Sequence, residues 1–165
     1  MSDLASLREV EGIWLRRMER AEDALRAAQQ RQRRAELALA QAKEALADYQ
    51  RRLPGLIEQL YLDCIGHLVS REFVQDKIHD EAKLRAKVAD YQGKVTEAEG
   101  ELKAAIEAVR LAQLALNKER VKLDAMRDLI RDERARLALG QARALAKVLD
   151  DLAGSKFVRT MRKAA

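Results

Sequence analysis

Core-type residues recur in this chain on a strict seven-residue repeat, in two runs, and the second run reverses the first. One column of the first run is Leu4, Glu11, Met18, Leu25, Gln32, Leu39, Leu46, Leu53 and Leu60; its companion is Leu7, Trp14, Ala21, Ala28, Ala35, Ala42, Tyr49 and Leu56. The second run reads Val88, Val95, Leu102, Val109, Leu116, Leu123, Ile130 and Leu137, beside Leu84, Tyr91, Ala98, Ala105, Ala112, Glu119 and Met126. A repeat of 3.5 lies just below the 3.6 of a straight α-helix, so each segment should supercoil about a partner. Tyr49 follows a run of alanines and Tyr91 precedes one, each within the tetrapeptide Ala-Asp-Tyr-Gln. Folding the chain near residue 70 sets large against large and small against small. The expected fold is all-α, a long antiparallel two-helix coiled-coil hairpin with its turn near residues 66–70.

Composition agrees with long helices rather than with a thick core. Charged residues make up 36% and aromatics 4%, and much of the apolar content is alanine, which buries little area per residue. Arms of about 60 residues would each run roughly 90 Å, so a rod is expected. The formal charge of +5 is uneven: residues 134–165 carry eight Lys or Arg against Asp150 and Asp151 alone. That basic end is either a solvated terminus or a contact for an acidic surface.

Ser2 or Asp3 is a suitable N-cap for the first arm, residues 3–65. Pro54-Gly55 should kink or briefly break it. Gly66 fits the residue just past a helix end, and Ser70, ahead of Glu72, fits the next N-cap. The second arm should run over 71–153, stopped by Gly154. The hairpin is then residues 1–154, followed by a basic tail at 155–165. Glu11, Gln32, Glu119 and Glu133 stand in core columns, which leaves the terminal end either frayed or closed by another protein. Apolar residues crowd the turn (Leu62, Ile65, Leu68, Val69, Phe73, Val74 and Ile78), as an exposed patch or as a small local knot.

The chain lacks the signatures of catalysis. Gly154-Ser155-Lys156 has neither the first glycine nor the preceding strand of a phosphate loop. Cys64, His67 and His79 do not make up the three or four ligands of a metal site. A two-helix rod offers no concave pocket for a nucleophile and its base. No enzyme activity, cofactor or metal is expected. Arg16, Arg17, Arg31, Arg33 and Arg34 are balanced by nearby acids, so nucleic acid is not an expected partner. A single cysteine, no span of about 20 apolar residues and no leader-like start point to a cytoplasmic protein that does not enter the membrane.

The stretch Arg17-Met18-Glu19-Arg20-Ala21-Glu22-Asp23-Ala24 resembles the R-x-x-R-A-E-x-A opening of the YscO/SctO proteins of bacterial type III secretion, the injectisome counterparts of flagellar FliJ. Asp48-Tyr49-Gln50 is similar too, as is the segment from Arg71-Glu72-Phe73-Val74-Gln75 through Ile78 to Lys83-Leu84-Arg85. Val74 stands where the family commonly has Trp. The resemblance implies a non-enzymatic stalk that docks in the pore of the hexameric secretion ATPase, reaches the cytoplasmic domain of the export gate, and binds substrate chaperones. It places the protein at the base of the secretion apparatus. It implies that the paired termini face the ATPase; the candidate contacts at that end, chosen for the composition of an aromatic among arginines, are Arg8, Trp14, Arg16, Arg17, Arg20, Arg127, Arg131 and Arg134. The turn, with Leu68, Phe73, Val74 and Ile78, would then meet the gate. The mirrored pattern gives each arm its partner within the chain, so a monomer is expected. Two rival readings are a coiled-coil adaptor without an ATPase partner and a binder of nucleic acid or anionic surfaces through the tail.

Overall fold

A computed structural model describes the backbone of residues 3–164 and the side chains of residues 4–156. Helix α1 spans Asp3–Tyr61, a single 3-10 turn spans Leu62–Cys64, and helix α2 spans Arg71–Ala164. The two helices pack against each other as a hairpin, with no strand among the described residues. The expected cap at Ser2 lies outside those residues.

The heptad columns are the seam. Every residue named in the four columns is buried or half-buried except Leu137, which is 40% exposed. The fully buried side chains among the described residues (Ala28, Tyr49, Ala98, Leu116, Leu123 and Ile130) are all column members. Burial therefore follows the period of the sequence with no second layer. That is the limit for two helices, each of which has only one stripe covered.

Two compact units make up the chain. In the unit formed by residues 23–114, the central feature is Tyr49. It is 5% exposed, its ring stacks on Tyr91 with centroids 4.9 Å apart, and its hydroxyl donates to the Leu84 carbonyl at 2.8 Å. A phenol pointed at one carbonyl of the opposite helix fixes the register, because a slip by one residue would leave a buried hydroxyl unpaired. Nearer the turn, the Tyr61 hydroxyl donates to Glu81 at 2.7 Å, and Arg85 donates to the same carboxylate at 2.8 Å. The Tyr61 bond, followed by that of Arg85, holds the Glu81 carboxyl below the usual glutamate range, and the same bond to Glu81 raises the Tyr61 hydroxyl above its ordinary value.

Gly66 closes the loop with φ of 76°, the left-handed conformation expected of it. No atom lies within 4 Å of where its Cβ would stand, so the dihedral, not space, selects glycine there. Ser70 caps α2 as its position implies: Oγ accepts from the Phe73 N–H at 3.1 Å, and the Ser70 carbonyl accepts from Val74 at 3.2 Å.

Helix α1 carries through Pro54 as one helix, as the heptad running on through Leu56 and Leu60 implies. A lost donor costs about 3 kcal/mol, and Leu53, Leu56 and Leu60 pin the chain to the seam on both sides. Helix α2, expected to end at Gly154, runs through it. A helical glycine costs only about 1 kcal/mol, and Gly154 does not take the positive φ that a terminating cap needs.

In the unit formed by residues 1–22 with 115–165, where the sequence left the end frayed or closed by another protein, the described seam is closed by the chain's own residues. Leu116, Leu123 and Ile130 are its buried residues, and Leu123 is only 1% exposed. The polar column members are paired rather than splayed. Glu11 takes Arg127 from the opposite helix at 3.4 Å, and Glu133 takes Arg136 in a two-pronged contact at 2.6 and 2.8 Å. Glu119 reaches Lys122 with one oxygen at 3.3 Å, while its other oxygen is buried with no hydrogen-bond partner among the described residues. In the other unit, Gln32 donates to Glu36 at 2.9 Å.

Two outcomes test this account. Tyr49→Phe should lower stability by about 1 kcal/mol, the net value of one hydrogen bond. Tyr49→Ala should cost about 3–5 kcal/mol through the cavity it leaves. Urea denaturation followed by circular dichroism measures both, and losses no larger than those of an exposed substitution would remove Tyr49 as the lock. For Glu81 the folded pKa is depressed, so its stabilisation is present above the ordinary glutamate pKa and lost as pH falls through the folded value. For Tyr61 the folded pKa is raised, so its share is lost as pH rises through that value. Hydrogen exchange around residues 57–61 and 81–85, corrected for intrinsic rate, should quicken at both extremes. Tyr61→Phe should remove the alkaline step and shrink the acidic one.

Candidate interaction surfaces

In the unit formed by the two terminal segments, Arg8, Arg16 and Arg20 fall on one ridge of α1, with Gly12 completing its four-residue spacing. All three arginines are exposed, and no hydrogen-bond or ion-pair partner is found for them among the described residues. Arg17 behaves differently. Its guanidinium lies 4.6 Å from the Trp14 ring centroid, and the Lys122 ammonium lies 4.5 Å from it. Trp14 is half-buried in the seam, and each cation is attracted by the ring's electron-rich face.

The α2 arginines cluster across the seam from the start of α1. Arg127, Arg131 and Arg134 line a shallow depression with Glu11 and Ile130. Arg127 is engaged by Glu11, and Arg131 pairs with Asp128 at 3.0 Å. All three remain exposed at the surface. The structure thus brings together Trp14 with Arg17, and Arg127 with Arg131 and Arg134, while Arg8, Arg16 and Arg20 stand apart on their ridge.

Around the turn, Leu68, Phe73 and Ile78 are exposed, together with Leu62, Ile65 and Val69, while Val74 is half-buried. Lys77 spans part of this surface: its ammonium lies 5.0 Å from the Phe73 ring centroid and 3.9 Å from Asp63. Of the two outcomes left open by the sequence, an apolar patch and a closed knot, most of these side chains take the first. Exposed apolar side chains so close together suit contact with another macromolecule.

Sequence reasoning missed three participants. Lys122 at Trp14, Glu81 at Tyr61 and the Leu84 carbonyl at Tyr49 all lie on the helix opposite their partner, so their roles depend on register at the level of single atoms. The mirror pattern gives register only to within a turn.

Other classes of site find little support in the geometry. Among the described residues no three His, Cys, Asp or Glu side chains group as they would around a metal ion. No described helix is long and apolar enough to cross a membrane. In the 23–114 unit, a shallow groove lined by Ala35, Ala38, Ala104, Ala105 and Ala108 has Arg31, Arg34 and Glu101 beside it, but no converging reactive groups.

Residues 4–145 match the family model described as type III secretion protein YscO. No curated protein and no solved structure matches the chain. The match covers both heptad runs, the turn and both arginine groups, and by it this chain belongs to the YscO family of type III secretion proteins.

Proposed function

We propose that the protein is the central stalk of a type III secretion system, with no catalytic role of its own. Its paired terminal segments dock in the pore of the hexameric secretion ATPase, and its turn reaches the cytoplasmic domain of the export gate. Released substrate chaperones would bind the same protein at the base of the apparatus.

The observation that carries this reading is the contrast between a finished seam and an unused basic ridge. The seam of the terminal unit closes over Leu116, Leu123 and Ile130, so Arg8, Arg16 and Arg20 are not needed to hold the hairpin. Arginines on a rigid helix, free of internal partners, suit recognition of carboxylates on another protein. A single asymmetric helix pair in a six-fold pore cannot touch every subunit alike. It would favour different conformations in different subunits, and that differential binding is what could couple ATP turnover to export.

Arg8, Arg16 and Arg20, each changed to Glu, should reduce binding to the secretion ATPase at least tenfold at low salt with the melting temperature little changed. The wild-type complex should weaken as salt rises, as expected of exposed charges. Arg17 is left intact because it supports Trp14. Undiminished ATPase binding by this variant would leave the adaptor reading in place. For the turn, Leu68→Ser with Ile78→Ser should weaken binding to the gate's cytoplasmic domain about tenfold, since two exposed apolar contacts are lost. ATPase binding should persist, and unchanged gate affinity would remove the turn as the contact.

A further inference from the structure

Helix α2 outruns its partner. Glu11 meets Arg127, and α1 starts only eight residues before Glu11, so the paired stretch of α2 ends near residue 135. Helix α2 nevertheless continues to Ala164, and every described side chain from Arg134 to Lys156 is exposed. Leu139, Leu145, Val148, Leu149 and Leu152 each leave more than half their surface to solvent.

This segment is not a continuation of the hairpin seam. Carried forward by sevens, one hairpin column passes through Ala144 and Asp151, and the other through Gly140, Lys147 and Gly154. Those residues make a poor seam. The apolar set moves instead to Ala135, Ala138, Ala142, Leu145, Leu149 and Leu152, spaced alternately by three and four. That is a fresh heptad stripe on another face of the helix. The family match ends at residue 145, so Leu149 and Leu152 lie beyond it.

We propose that this stripe is a second coiled-coil seam, paired antiparallel with the same stripe of a second copy of the chain. The order of side chains selects that occupant. In antiparallel alignment Ala135 faces Leu152, Ala138 faces Leu149 and Ala142 faces Leu145, and the two-fold axis repeats each pair. Every layer then joins one alanine to one leucine, and the helix spacing stays constant. Parallel alignment would set alanine on alanine at one end and leucine on leucine at the other, so the spacing could not be uniform. The residues flanking the stripe are Leu139, Ala146 and Ala153 on one side and Arg134, Gln141 and Val148 on the other; the one charged flank, Arg134, lies level with Ala153 of the second copy. Two copies of this basic segment can therefore meet without like charges facing each other. An acidic partner would instead leave apolar flanks against its charges. Arg143, Lys147, Asp150 and Asp151 fall outside stripe and flanks alike. Five turns of one helix face fall short of the roughly 800 Å² per side of a standard interface, so association depends on concentration. The hairpin seam is complete within each chain, and this second seam joins two finished hairpins.

Sedimentation equilibrium of the full chain over the micromolar to millimolar range should show the mass rising from 18.7 kDa toward twice that value. Leu149→Asp should shift the midpoint at least tenfold to higher concentration, with helicity and hairpin melting preserved because Leu149 lies outside the hairpin seam. Orientation is read with Cys64 changed to Ser. A mixture of an Ala135→Cys chain and a Leu152→Cys chain should form the mixed disulfide, while neither alone should cross-link. A monomer throughout the range would overturn the proposal and leave the stripe to a different partner. Association untouched by Leu149→Asp, or same-residue cross-links, would overturn it equally.

Discussion

The structure depends on a single seam one side chain deep. Two helices can cover only one stripe of each other, so burial is confined to the heptad columns and must be correct at nearly every layer. Tyr49 makes one register favourable over its neighbours. Its ring fills the layer shared with Tyr91, and its hydroxyl has one acceptor, the Leu84 carbonyl. Sliding the helices would break that bond inside the seam and set alanine layers against leucine layers. The mirrored order of residue types and the tyrosine contact thus enforce the same alignment, one through volume and the other through direction.

A fold with so little interior has consequences for function. Among the described residues most of the charged side chains are exposed, so what the fold offers another protein is the pattern of its surface. The terminal unit supplies a basic ridge and a cluster of arginines beside a closed seam. The region of the turn supplies exposed leucine, isoleucine and phenylalanine side chains that two helices cannot cover. The chain belongs to a type III secretion family, and these surfaces are its candidate contacts with other proteins.

Trp14 shows how a residue that stands out in the sequence can lose its expected prominence. As the one tryptophan, surrounded by arginines, it has the composition of an interface anchor. In the folded chain both Arg17 and Lys122 lie over its ring, and it is half-buried in the seam. Of the readings left open for this end, the described residues speak against fraying: Glu11 and Glu133 have arginine partners, and leucine and isoleucine of the same unit are buried. The plainer arginines at positions 8, 16 and 20 are left with nothing internal to do.

The sequence by itself determined the fold class, the seam members, the turn at Gly66 and the cap at Ser70. Each follows from periodicity or from the conformational preference of one residue, and such signals are local. It also carried the family resemblance, through short motifs along both arms. Tertiary structure decided what depends on contacts between distant positions: that α2 continues past Gly154, and that Lys122 reaches Trp14. It decided too where the hairpin seam stops, since a helix end is set by whether packing repays its order, and that is known only once the opposite helix is in place. The new stripe from Ala135 to Leu152 was present in the letters throughout. Only the point at which α1 runs out shows that it has no partner in the hairpin.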